Sequence, residues 1–394
     1  MDFNRLSEGL DALINKPVGD HRSTAKDVLT KAVTRQGDRL EVVLPSEVME
    51  DGAAAVLTDE GLKPEDWEVT GFRRSEWGEG KTSTRFTYRR KQTTPSGSTR
   101  ATLTDAELEA LVVAQAEAVE VSERPTGKAS AVVLVADTQL GKMESNVEET
   151  VKRTLRHIDE ALDRIYYLGE ANSVTIAFMG DHIEGFVSQG GANAWRTPLA
   201  LVEQIRLTRR IMIYALQRAV GYGFHVNMVA VPSNHGQAVR LNNKGVTTYD
   251  DDHCIEALIA VKDGVDMLVA GESSRFLDVD FYVPDTDELA VSLELSKTHI
   301  VFCHGHMAKP GKYTDYVKGQ AFNRNSVYHN ADVVCFGHFH EFRVEMSSDR
   351  MIIVAPAGEE ESTWFRHQSG EGGYPAIIWF HTNGGAVQDL HLIH

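Results

Sequence analysis

Seven short apolar runs, separated by amphipathic stretches, dominate the chain from Ala129 onward and restrict its folding more than any other feature. They are AVVLVA (131–136), VTIAFM (174–179), VNMVAV (226–231), HIVFC (299–303), DVVCF (332–336), MIIVA (351–355) and AIIWF (376–380). Short apolar runs alternating with longer amphipathic stretches predict strands. Between the first two, Val147, Val151, Leu155, Ile158, Leu162 and Ile165 recur at helical spacing. After the second, Leu201, Ile205, Met212, Leu216 and Val220 do the same. The alternation of strand and helix predicts an α/β fold.

The first five runs each deliver metal-ligand residue types at their ends. Asp137-Thr138-Gln139 follows the first, Gly180-Asp181 the second and Ser233-Asn234-His235-Gly236 the third. His304-Gly305-His306 follows the fourth and Gly337-His338-Phe339-His340 the fifth. In open α/β folds the carboxyl ends of strands converge on one crevice, so five distant segments can surround a single point. Glycine beside these residues suits a sharp turn at the end of a strand. A lone aspartate after a strand is usually a turn or a cap; three histidines at strand ends are an unusual use of a titratable side chain.

Taken in order, D-x-Q, GD-x-x-E, NHG, HGH and GHFH resemble the signature blocks of the calcineurin-like metallophosphoesterase superfamily over roughly residues 129–358. The resemblance implies a four-layer sandwich of two mixed β-sheets flanked by helices, with two divalent metals at one edge. It implies that Asp137, Gln139 and His340 bind the first metal, that Asp181 bridges both, and that Asn234, His304 and His338 bind the second. His235 would contact the phosphate and the leaving oxygen. Glu184 stands where aspartate is usual and would hold the His235 proton in place. Gln139 stands where most members have histidine; an amide oxygen is a neutral, harder and weaker ligand, which favours Mn²⁺ or Mg²⁺ over Zn²⁺ or Fe²⁺. The implied chemistry is phosphoester hydrolysis by a metal-activated water.

Other residues near the blocks have plainer readings. Arg240, Lys309 and Lys312 follow ligand blocks closely and are candidate substrate contacts, although exposed Lys and Arg are ordinary on any surface. His306 is a wall residue or a ligand, His182 and His253 are ordinary polar residues, and Asp250 to Asp252 read as the acidic first turn of a helix. Trp364 is a pocket rim or a cap on the sheet. Cys254, Cys303 and Cys335 are too few and too scattered for a disulfide framework, which suits a reducing compartment.

Residues 1–98 read as a smaller α+β domain, with a helix-like DVLTKAV around Val28 and an alternating Glu41 to Leu44 segment. Residues 99–128 read as a linker containing a helix from the capping-box pattern at Thr104 to Glu107, stopping near Pro125 and Gly127. Residues 129–394 form the metallophosphoesterase part. Residues 1–100 carry 16 basic and 17 acidic side chains, so about −16 of the net −17 lies beyond them. An acidic field of this size weighs against avid, non-specific binding of duplex DNA. Within the first domain, however, Phe72 to Arg100 holds eight Lys/Arg interleaved with Phe72, Trp77, Phe86 and Tyr88. That is either a single-strand contact or a solvated hairpin with one apolar face.

Nucleic acid is therefore the favoured substrate, making the chain similar to the nuclease subunits of bacterial and phage repair complexes in that superfamily. A phosphatase or diesterase of nucleotides or phosphoproteins is the alternative, and a non-catalytic module with a decayed metal site is the third reading, motivated by Gln139. No apolar run approaches the roughly 18 residues that span a bilayer, so no membrane partner and a cytoplasmic location are expected. The oligomeric state is open, a homodimer included.

Overall fold

The computed structural model of the protein describes residues 31–36, 39–45, 48–77, 81–90, 122–143, 145–188, 191, 197–241, 244–271, 274–360 and 373–394. Residues 27–30 of the DVLTKAV segment, the helix expected from Thr104 and the Trp364 position lie outside them, whereas Ala32 and Val33 of that segment open a strand, Ala32–Gln36, and do not continue a helix. Two units are distinguished, Met1–Ser98 and Thr99–His394.

In the first unit, β1 (Ala32–Gln36), β2 (Arg39–Leu44), β3 (Trp67–Trp77) and β4 (Lys81–Arg90) form an antiparallel sheet in the order β1-β2-β4-β3, and α1 (Ala53–Asp59) packs on it. Period-two alternation turns Leu40, Val42, Phe86 and Tyr88 inward against Ala53, Val56, Leu57 and Trp67. The Tyr88 hydroxyl donates to the Ala53 carbonyl at 3.0 Å, which satisfies its one polar atom inside the core. Three aromatic residues of the basic segment thus belong to the core: Phe86 and Tyr88 are fully buried, and the partly buried Phe72 packs on Phe86 with ring centroids 5.2 Å apart. Phe86 and Tyr88 have no exposed face for stacking bases. Arg73, Arg85 and Arg89 lie exposed, with Arg73 directly opposite Arg85 in the ladder.

The second unit contains two sheets. The first has the order β10-β7-β6-β5-β16-β17, from β5 (Ala129–Val135), β6 (Ala171–Phe178), β7 (His225–Ala230), β10 (Val279–Tyr282), β16 (Ile377–Asn383) and β17 (Ala386–Ile393). Strands β5, β6, β7 and β10 run parallel, and β16 and β17 are antiparallel additions. The second sheet has the order β11-β12-β13-β15-β14, from β11 (Ala290–Leu295), β12 (Thr298–Cys303), β13 (Val333–Phe336), β14 (Arg343–Ser347) and β15 (Arg350–Val354). Its three central strands are parallel and its edges antiparallel. A two-residue ladder, β8 (Arg240–Leu241) with β9 (Lys244–Gly245), follows the third block.

The sheets face each other through Val132, Leu134, Ala177, Val229, Phe302, Cys335 and Ile353, all buried in one cluster. Neighbouring residues in the same strands, such as Val133, Val135 and Ile176, pack on the other side against α2 (Val147–Leu168), α3 (Leu201–Gly221) and α4 (His253–Ala270). Beyond the second sheet, Val334 and Phe336 meet Tyr313 and Val317 of α5 (Tyr313–Ala321). Both faces of the central strands are covered, which is why their sequences run apolar without a break. Each such side chain contributes roughly 1.5–3 kcal/mol by leaving water. The result is the four-layer arrangement, helices on two mixed sheets on a helix, that the resemblance implied. The helix stripes are also where expected: Val151, Leu155, Ile158, Leu162 and Ile165 are all buried.

Candidate metal centre

Strands β5, β6 and β7 run parallel in one sheet and β12, β13 and β15 in the other, and the turns after their carboxyl ends meet across the two sheets, as the His338 N–H to Asp137 Oδ2 hydrogen bond shows. The loops there are stitched together by their backbones. Asp137 N–H donates to the Gly180 carbonyl at 3.1 Å, Gln139 N–H to the Asp181 carbonyl at 2.9 Å, and Gly337 N–H to the His304 carbonyl at 3.1 Å. The side chains join in: Asp181 Oδ1 accepts from His235 N–H at 2.8 Å, and Asp137 Oδ2 accepts from His338 N–H at 2.9 Å. The expected convergence of distant turns is therefore a hydrogen-bonded fact.

The backbone is strained where the chemistry is expected. Among the described residues ten non-glycine positions have positive φ, and five of them are Asp137 (48°), Gln139 (37°), Asp181 (49°), His338 (69°) and His340 (55°). Such conformations cost on the order of 1–3 kcal/mol each and persist only where the surroundings impose them. Glycine is required beside them: at Gly180, with φ of 90°, a Cβ would lie 2.7 Å from Ser233 Cβ and 2.8 Å from His304 Nδ1.

Four donors form the tightest group. His304 Nε2 lies 3.0 Å from Asp181 Oδ2 and 3.1 Å from Asn234 Oδ1, and Asp181, His304 and His338 present ligand atoms within 4.8 Å of one another. His304 Nδ1 is 2.8 Å from the Met179 carbonyl, which can only accept, so Nδ1 carries a proton. With Nδ1 so occupied, Nε2 meets Asp181 Oδ2 and Asn234 Oδ1 in a buried site, where a proton on Nε2, or a cation in its place, stands between the ring and the two oxygens. Burial lowers the pKa of His304, but Asp181 beside it outweighs this and pushes it up to about 9. Burial likewise opposes ionisation of Asp181, yet the imidazoles of His304 and His235 hold its carboxyl well below the usual range. His338, buried and next to His304, is pushed down to about 4, so it is neutral and ready to ligate at neutral pH. This donor set, a carboxylate, an amide oxygen and two imidazoles, fits a divalent cation.

The other expected position is built differently. Asp137 Oδ1 is fully buried and lies 3.3 Å from His340 Nε2. Gln139 Oε1, however, accepts from Lys142 Nζ at 3.2 Å. The same ammonium pairs with Glu359, whose Oε1 lies 3.4 Å from His340 Nδ1. Lys142 and Glu359 were not among the expected residues. Their signals were present: Lys142 ends the turn that Gln139 begins, and Glu359 follows a sixth strand and a glycine, as the other blocks do.

Around these lie the remaining expected residues. His235 Nδ1 is 2.8 Å from the Glu184 carbonyl, 3.2 Å from Ser188 Oγ and 3.6 Å from the Glu184 carboxylate. It is therefore the Glu184 backbone, more than its side chain, that fixes the ring; burial pushes the carboxyl itself up to about 7. Arg240 Nη1 donates to the Asn234 carbonyl at 3.0 Å and to Gln237 at 2.9 Å, which places its guanidinium beside the ligand loop. Lys309 and Lys312 lie exposed, with Lys312 near Asp315 at 3.7 Å, and no hydrogen bond or ion pair joins them to the centre among the described residues. His306 stands as a wall, its ring 5.5 Å from His304, and burial pushes it down to about 3. His182 is a core residue against Thr138 and Phe178. Asp252 is the N-cap of α4, accepting from Cys254 and Ile255, and it also accepts from Ser233 N–H at 2.9 Å. It thereby ties α4 to the loop that carries Asn234 and His235.

No family model and no curated protein matches the chain. Among solved structures it is similar to an archaeal phosphodiesterase (14% identity, 67% of this chain and 99% of that one, TM-score 0.30). It is also similar to Vps29 of Entamoeba histolytica complexed with zinc (10%, 67% and 98%, TM-score 0.31). A third likeness is to a Streptococcus pneumoniae protein predicted to be a phosphoesterase (10%, 65% and 84%, TM-score 0.27). At such identities and TM-scores these likenesses leave the chemistry to be argued from the site itself.

Proposed function

We propose that the second unit is a divalent-cation-dependent phosphoesterase acting on phosphodiesters. The observation that carries this is the buried meeting of Asp181, Asn234 and His304 at 3.0 and 3.1 Å, with His338 beside them. Asp181, Asn234, His304 and His338 would hold a cation, and Asp137 and His340 would face a second cationic position. When bound, such an ion neutralises phosphate charge and makes water acidic enough to serve as a nucleophile near neutral pH.

The protein's own groups supply the rest. His235, its Nδ1–H held by the Glu184 carbonyl, leaves Nε2 for the leaving oxygen, to which its imidazolium form would give the Nε2 proton while Nδ1–H stays in place. Its backbone N–H fixes Asp181, so the proton donor and the cation site keep one register. Arg240, tethered to the Asn234 carbonyl, adds positive charge where an anionic substrate enters.

Nucleic acid is the substrate we favour within this class. Support comes from the exposed Arg73, Arg85 and Arg89 of the first unit, which suit a phosphate backbone without reading or stacking bases. The test is turnover by the purified full chain with Mn²⁺ of bis(p-nitrophenyl) phosphate and of single-stranded and duplex DNA. Metal-dependent cleavage of both substrates is expected. Diester turnover with intact DNA would remove the nuclease part, and a loaded protein inert toward every phosphoester would support the non-catalytic module instead.

A further inference from the structure

Lys142 occupies an unusual place for a lysine. Its side chain is only 16% exposed, it donates to Gln139 Oε1 at 3.2 Å, and it forms an ion pair with Glu359, whose side chain is fully buried. The pairing is reinforced by Ser145 Oγ, which lies 3.4 Å from Glu359 Oε2. The tight turn from Gln139 to Lys142, closed by a 3.0 Å backbone hydrogen bond, sets the lysine back against its own glutamine. Its far end is held through Glu359 N–H, which donates to the Asp137 carbonyl at 3.2 Å. A buried carboxylate needs a positive partner. Here that partner is a covalently attached ammonium lying among the groups that would otherwise surround the first ion.

We infer that Lys142 serves as the resident cation of the first position, so that the centre takes one divalent ion tightly, at Asp181, Asn234, His304 and His338, and resists a second. This rests on the metal-centre reading above. A second ion would have to compete with Lys142 for the Gln139 oxygen, leaving the ammonium and its carboxylate to find new partners in a buried site. The lysine adds one positive charge in place of two, so Asp137 and His340 face a weaker field than a paired-ion centre gives. Glu359 is then a positioning residue: it holds Lys142 on one side and the Nδ1 edge of His340 on the other.

The experiment is metal counting on the full chain, by dialysis against Mn²⁺ and elemental analysis, with electron paramagnetic resonance to detect coupled Mn²⁺ pairs. Wild type is expected to hold one ion per chain with the spectrum of isolated Mn²⁺. Lys142→Met, which frees Gln139 and Glu359, is expected to take up two ions and give a coupled-pair spectrum. Adding Glu359→Gln to Lys142→Met is expected to return the count to one. Two tightly held ions in wild type would overturn the inference while leaving the metal centre intact; no bound ion would overturn the metal centre itself. A folded Lys142→Met, checked by circular dichroism, that still binds one ion would also overturn it. The wild-type count decides between one and two ions even if the variant does not fold.

Discussion

Asp252 joins the helix scaffold to the ligand loop, and its replacement gives a loss that can be worked out from its contacts. Oδ1 accepts from Cys254 N–H at 2.7 Å and Ile255 N–H at 3.3 Å, and Oδ2 from Ser233 N–H at 2.9 Å and Ser233 Oγ at 3.3 Å. Asp252→Ala removes a helix cap, worth about 1 kcal/mol. It also orphans the N–H of the fully buried Ser233, which costs about 1–3 kcal/mol. The expected total is about 2–4 kcal/mol, read from the urea midpoint of the full chain. Asp252→Asn keeps one good acceptor and is expected to lose about half as much. Because Asn234 and His235 directly follow Ser233, Mn²⁺-dependent diester turnover should fall in the still-folded Ala variant by on the order of tenfold, in the manner of groups that orient ligands. A loss of stability below about 1 kcal/mol with unchanged turnover would refute this account of the loop.

Three further outcomes follow from the geometry. Gly180→Ala, which forces a Cβ against Ser233 and His304 at a φ of 90°, should cost at least about 1–3 kcal/mol and weaken Mn²⁺ binding, measured by thermal melts with and without metal. His304, with its pKa near 9, holds a proton that an ion must displace. Apparent Mn²⁺ affinity should therefore rise as pH rises toward 9, by up to about tenfold per unit, and level off above it; a flat profile in isothermal titration from pH 6.5 to 8.5 would contradict the site assignment. Arg73→Ala and Arg85→Ala should each lower the salt slope of DNA binding by about 1 while leaving small-diester turnover unchanged, and equal slopes would remove those arginines from the nucleic-acid face.

The seven apolar runs that announced strands are β5, β6, β7, β12, β13, β15 and β16, the members of each sheet with both faces covered. The edge strands β10, β11, β14 and β17 were not legible, because VDFY, AVSLEL, RVEMS and AVQDLHLI are partly exposed and lack a continuous apolar stretch. The ligand turns could be read because each pairs a glycine with a ligand type at a strand end, a local signal. The Lys142–Glu359 pair could not, since 217 residues separate partners that only the packing of the two sheets brings together. The same holds for Asp252, whose link to Ser233 is invisible in a run of three aspartates. In the first unit, aromatics interleaved with arginines are compatible with a binding surface, but a solvated hairpin with one apolar face is the favoured reading of such a segment. Burial of Phe86 and Tyr88 decides for the hairpin, because alternation along a strand sends the two residue classes to opposite faces.

The reading depends on Asp181, Asn234, His304 and His338 closing around an ion. Anomalous scattering from a crystal of the full chain grown with Mn²⁺ tests that directly. The account predicts a peak within about 2.0–2.3 Å of ligand atoms from these four residues. An absent peak, or one seated only at the separate Glu170, His381 and Asp389 group, would contradict it.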